Sequence, residues 1–200
     1  MPSRPETPAT AAKAATAAKA AKVTKAAGGG ARRHTTHIDI QRHSRASGLP
    51  SDLLLRRWAR AALQDLQLSA AITLRLVAAS EGRRLNRDYR VADYATNVLS
   101  FEYGFDHNPD AALPLLRGDI VLCVPVIARE ARAQGKSLRA HYAHLVIHGV
   151  LHLAGHDHMT ARDAGKMEPL ETSILARLGI ADPYAVEEKA RGSSRVARKR

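Results

Sequence analysis

His148-Gly149-Val150-Leu151-His152-Leu153-Ala154-Gly155-His156-Asp157-His158 is the stretch on which the reading of this chain turns. His148 and His152 stand one helical turn apart, so a helix places both imidazoles on the same face. Gly155 can then end that helix in the left-handed backbone conformation that other residues resist. The chain bends there and can return His158 towards the pair. Three neutral imidazoles leave a fourth tetrahedral position for water, which distinguishes a catalytic zinc from a closed structural one.

The helix can be tested on its own periodicity. Ser137 is a suitable N-cap, and no proline interrupts Leu138 to Ala154. Tyr142, Val146, Val150 and Leu153 form an apolar stripe, and His141, His144, His148 and His152 form a second on the opposite side. His144 and His152 are separated by roughly 12 Å of helix rise, too far to share one ion without strained rotamers. Spacing alone allows 144/148 or 148/152. The turn at Gly155 favours 148/152, because it brings a third imidazole beside that pair. His158 is the expected third ligand rather than His156, since the neighbouring Asp157 can hydrogen-bond an imidazole. His141 and His144 read as polar-face or hydrogen-bonding residues. Between the histidines stands Gly149, where a zinc peptidase of the H-E-x-x-H type carries its glutamate base. A peptidase reading therefore lacks its base.

The run HGVLHLAGHDH resembles the H-G-x-L-H-L-x-G-x-D-H signature of the YbeY family of metal-dependent endoribonucleases. Two further blocks support the resemblance: Leu85-Asn86-Arg87-Asp88-Tyr89-Arg90 with Asp93 and Thr96-Asn97-Val98-Leu99-Ser100-Phe101, and Gly118-Asp119-Ile120. They run in the family's order within residues 36–182. The resemblance implies cleavage of single-stranded RNA in ribosomal RNA maturation, including the late 16S 3′ end and ribosome quality control. It also implies one zinc ion on His148, His152 and His158, and a functional arginine at Arg90. Two positions depart from the pattern: His156 replaces a frequent tyrosine, and Glu102 a frequent proline.

Charge is unevenly placed. The net charge is +12, yet residues 1–37 hold seven Lys/Arg against one acid and residues 187–200 hold six against two. The tails thus carry the basic character, and they suit salt-sensitive attraction to polyanions such as RNA or plain solubility. Residues 1–35 are rich in Ala and Lys and carry no large apolar residue beyond Val23, so a disordered extension is expected. Residues 183–200 are expected to form a basic tail. No apolar signal region or membrane-length run is present, and the single Cys123 suits a reducing cytoplasm.

Between the tails, 36–182 reads as one α+β domain with a mostly four-stranded mixed sheet and about five helices. Strands are expected at Thr36–Arg42, around Ile72–Leu76, at Asn97–Phe101 and at Asp119–Val124, with a loop from Glu102 to Arg117. Pro50-Ser51 opens a helix to about Leu66 with Leu54, Trp58, Ala61 and Ala62 towards the core. A short helix runs from Ser80 to near Arg90, Pro125 starts another that Gly135 stops, and a last helical segment after Thr160 is broken at Pro169.

Arg90 has two readings from the residues: a guanidinium fork for a phosphate, or a surface ion pair with Asp88 or Asp93. The resemblance favours the first. Candidates for the general acid and base are His156, Asp157 and His144, unranked, and attack by water or by the ribose 2′-OH stays open. The rival class is a ribosome-associated binding factor in which zinc stabilises the fold.

Overall fold

The computed structural model describes residues 35–106 and 114–185. The Ala/Lys-rich extension and most of the basic C-terminal tail lie outside the described residues. Among these, the elements run β1 (Thr36–Arg42), α1 (Asp52–Asp65), β2 (Ser69–Val77), α2 (Ala79–Arg90), β3 (Val98–Asp106), β4 (Leu115–Cys123), α3 (Val124–Ala133), α4 (Leu138–Leu153) and α5 (Ala161–Arg177). The strands form one mixed sheet in the order β1-β2-β4-β3. β1 and β4 flank β2 in parallel, and β3 pairs antiparallel with β4. This is the expected α+β arrangement. No described helix is long and apolar enough to cross a membrane.

The β3–β4 pair is longer than its sequence suggested. The ladder continues from Glu102 to Asp106 and from Leu115 to Arg117, where a loop was expected. Gly104 makes this possible: at φ +80° it accommodates an irregularity in the register between Glu102 and Gly104. The expected break at Pro169 is also absent, and α5 is continuous. Pro169 and Gly165, whose carbonyl loses its partner, both face solvent. Met167, Glu171, Ile174 and Leu175 meanwhile anchor the buried side across the proline. In α1 the buried stripe is Leu55, Trp58, Ala59, Ala62 and Leu63. Leu54 and Ala61, expected inside, pack only at its margin.

The main core lies between the sheet and α1, α4 and α5, and a smaller cluster of Val77, Leu85, Leu99, Val121, Cys123 and Val126 lies across the sheet beneath α2 and α3. α4 is the central element, with ten of its sixteen residues buried. Packing accounts for two motif glycines. A Cβ at Gly149 would lie 2.8 Å from Ile120 Cγ2, so α4 presses directly on β4 there. One at Gly118 would lie 2.6 Å from both the Phe101 carbonyl oxygen and a Leu153 methyl. Methyl groups at that range overlap sterically, so the helix–sheet spacing depends on both glycines.

Candidate metal centre

Local rules build the site. Ser137 caps α4, its hydroxyl accepting from the Ala140 N–H at 3.1 Å. At the other end Gly155 takes φ +85°. Its N–H donates to the His152 carbonyl, and the His156 N–H donates to the Leu151 carbonyl, both at 3.0 Å. This pair of bonds is a Schellman closure. It turns the chain sharply, and Asp157 fixes the next step. Its carboxylate accepts the backbone N–H of His158 at 2.7 Å and of Met159 at 3.2 Å. Asp157 therefore shapes the turn; it does not hold an imidazole as its sequence position suggested.

The result gathers His148, His152 and His158, one donor nitrogen from each lying within 4.8 Å of the others. The Nε2 atoms of His148 and His152 are 3.1 Å apart. Two nitrogens bound to one zinc at about 2.0–2.1 Å in tetrahedral geometry stand about 3.3–3.4 Å apart, so the spacing is near that of a chelating pair. His148 and His152 are half-buried, and His158 is exposed. Burial first, then the nearby His148 and His158, hold the His152 pKa down at about 4. Its ring is neutral at pH 7, as a metal ligand must be.

The carboxylate that orients an imidazole comes from α5. Glu171 is fully buried, and its Oε1 accepts from His148 Nδ1 at 2.8 Å. That bond places the His148 proton on Nδ1 and leaves Nε2 with its lone pair towards His152 and His158. The second oxygen accepts from the Tyr184 hydroxyl and lies 3.5 Å from His144 Nε2. Burial pushes the Glu171 carboxyl up, but its bonds from His144 and His148 outweigh this and hold it at about 2. The set of donors and their support thus fits a divalent cation. A second network ties Glu130 to buried His141 at 3.0 Å and to Asn97 Nδ2 at 2.9 Å.

Glu171, Tyr184 and Glu130 were missed in the sequence. Glu171 did leave a trace, as a charged residue on the apolar stripe of Met167, Leu170, Ile174 and Leu175. Tyr184 lies within the stretch read as the basic tail, and its hydroxyl donates to Glu171.

A cleft of about 530 Å³ opens over the three imidazoles, and Arg90, Ser100, Glu102 and His156 also line it. Arg90 is exposed at the last residue of α2. The neighbouring carboxylates are taken by other arginines: Asp93 accepts from Arg83, and Asp88 from Arg87. Among the described residues Arg90 has no ion-pair partner, which disfavours the surface-pair reading. Val91, directly after it, sits in the left-handed region at φ 57°. His144 borders a different cavity, of about 370 Å³, on the Glu171 side. No carboxylate stands at the position of a zinc peptidase base, and at Gly149 Ile120 leaves no room for one.

Comparison with known proteins is consistent with this geometry. Proteins named Endoribonuclease YbeY are similar to the chain. One from Laribacter hongkongensis is 55% identical over 150 residues, covering 75% of this chain and 90% of that one. One from Pseudomonas entomophila is 52% identical over 152 residues, covering 76% and 94%. One from Bordetella petrii is 63% identical over 116 residues, covering 58% and 72%. Residues 40–179 match the family model described as Endoribonuclease YbeY, and on that breadth of agreement the chain belongs to the YbeY family.

Proposed function

We propose that this protein is a zinc-dependent endoribonuclease that cuts single-stranded RNA, with ribosomal RNA as its substrate and the cytoplasm as its place of action. The observation that carries this reading is the convergence of three imidazole donors in the cleft that also holds Arg90, which has no ion-pair partner among the described residues. The names of the relatives supply the reaction class.

His148, His152 and His158 would hold the ion. The chemistry a zinc ion supplies at such a site is Lewis acidity, which acidifies water and polarises a phosphoryl oxygen. The protein's own residues do the rest. Glu171 keeps the His148 proton on Nδ1, so the opposite nitrogen stays free to bind. Arg90 offers a planar fork to the non-bridging oxygens of the scissile phosphate and to the charge that develops on them. Of the three candidates for proton transfer, His156 and Asp157 border the Arg90 cleft, whereas His144 is engaged with Glu171 and Tyr184. Asp157 already accepts two backbone N–H groups. Burial lowers the pKa of His156, so it is neutral near pH 7 and able to accept a proton. Processing at the 16S 3′ end is part of the same proposal and follows from the family resemblance.

The test is cleavage of a single-stranded RNA before and after chelation, with circular dichroism recorded in parallel. Cleavage should vanish while the fold persists, return with zinc, and be absent in His152→Ala. Folded, metal-free protein that cuts RNA at the original rate would overturn the reading.

A further inference from the structure

The chain holds only five tyrosines, two phenylalanines and one tryptophan. Yet Tyr89, Tyr94, Phe101, Tyr103 and Phe105 all fall between the end of α2 and the end of β3. Seven large apolar side chains are exposed among the described residues. All except Leu53 lie in this segment or at Met159 on the lip of the cleft. Exposed apolar surface gathered in one place marks an interaction site more often than scattered residues do.

Three of these rings share one surface. Tyr89, 67% exposed, meets Phe101 edge-on with ring centroids 5.0 Å apart. Tyr103, 66% exposed, donates its hydroxyl to Asp119 Oδ2 at 3.0 Å. Asp119 is the β4 partner of Phe101, so Tyr103 stands on the Phe101 side of the sheet. The β3 irregularity places it there. Glu102 pairs with Gly118 and Gly104 with Arg117, which leaves Tyr103 as the extra residue. Bulges of this kind re-aim a side chain.

This surface adjoins the cleft across the edge strand β3 and at the end of α2. Tyr89 immediately precedes Arg90, and Phe101 stands between Ser100 and Glu102, all three of these neighbours lining the cleft with the histidines. Edge strand β3 thus has the imidazoles on one side and the aromatic rings on the other. The patch is aromatic rather than aliphatic, and the cation at its border lacks a carboxylate partner among the described residues. Aromatic faces beside a free guanidinium complement unpaired bases joined by phosphates.

We propose that Tyr89, Phe101 and Tyr103 form a stacking surface for unpaired bases flanking the phosphate held at Arg90. The inference rests on the RNA-cleaving function proposed above and gives it a means of choosing single strands, since bases within a duplex offer no free face. The outcome is read from binding, separately from cleavage.

The probe is a fluorescein-labelled, 2′-O-methylated single-stranded oligoadenylate, titrated with the full chain at several salt concentrations. Tyr89→Ala combined with Tyr103→Ala should weaken binding at least about tenfold. The salt dependence should keep its slope, because no phosphate contact is lost. Tyr89→Phe and Tyr103→Phe should bind as the parent does, since each keeps its ring. Affinity for a duplex of the same length should not change. Unaltered single-strand binding by the folded double alanine variant would overturn the proposal. So would equal losses for single strand and duplex, the result expected of a general weakening of RNA binding rather than of lost base stacking. Parent protein that binds the single strand through these tyrosines but never cuts RNA would leave the stacking surface standing and remove the catalytic reading.

Discussion

Glu171 and His148 are joined across two helices by a 2.8 Å bond from Nδ1 to a carboxylate with no solvent exposure. A fully buried charge is costly unless its partners are in place. Its presence beside the histidine pair therefore points to a purpose in orienting the ring. Glu171→Gln should fold but bind zinc about 10–100-fold more weakly, as removal of such supporting partners does. Competition with a chromogenic chelator measures this, and affinity equal to the parent's would contradict the orienting role.

Acid should weaken the metal-free protein in two windows. His152 has a folded pKa of about 4, below its ordinary 6.5. Its contribution is present above pH 6.5 and is lost as the pH falls towards 4, because the unfolded chain takes up the proton first. Glu171, held at about 2 against an ordinary 4.5, contributes above pH 4.5 and loses that contribution as the pH falls towards 2. Thermal melts of chelated protein should show Tm declining through both ranges. In His152→Gln the decline between 6.5 and 4 should flatten.

Gly149→Ala should destabilise the fold by about 1–3 kcal/mol, the usual cost of overpacking a core. The new methyl would meet Ile120 at 2.8 Å, and both neighbours belong to the packed interior. Urea denaturation reports the loss. Ile120→Val in the same chain should recover part of it by removing a methyl from the contact.

Arg90→Ala should abolish most RNA cleavage while leaving Tm nearly unchanged, because the side chain is exposed and makes no ion pair among the described residues. The slope of log affinity against log salt should fall by about one for a lost phosphate contact. Arg90→Lys keeps the charge but loses the planar fork, and should restore binding better than turnover.

Val91 ends α2 in the left-handed region with 93% of its surface exposed. Little packing is lost by replacing it, whereas a branched side chain in that conformation is strained. Val91→Gly should raise stability by about 1 kcal/mol. Unchanged or lower stability in urea melts would show that this backbone carries no strain.

Local chemistry was legible in the sequence. The cap at Ser137, the stop at Gly155, the histidine spacing, the family resemblance and the four strands all depend on residues close together along the chain. Features set by distant partners were not. Glu171 reaches His148 across 23 positions, and Asn97 reaches Glu130 across 33. No local pattern announces either pairing. Asp157 was misread because a carboxylate beside an imidazole can as easily accept backbone N–H groups. The continuation of α5 through Pro169 depends on which side of the helix faces water, and the length of β3 depends on a bulge.

The burial of α4 governs the kinetics of any ion held as proposed. His148 and His152 are fixed to an interior rod packed on most of its sides, while His158 rides on an exposed bend. Loading and escape would then pass through the movement of that one outer prong, which makes the bend a latch and the rod its frame.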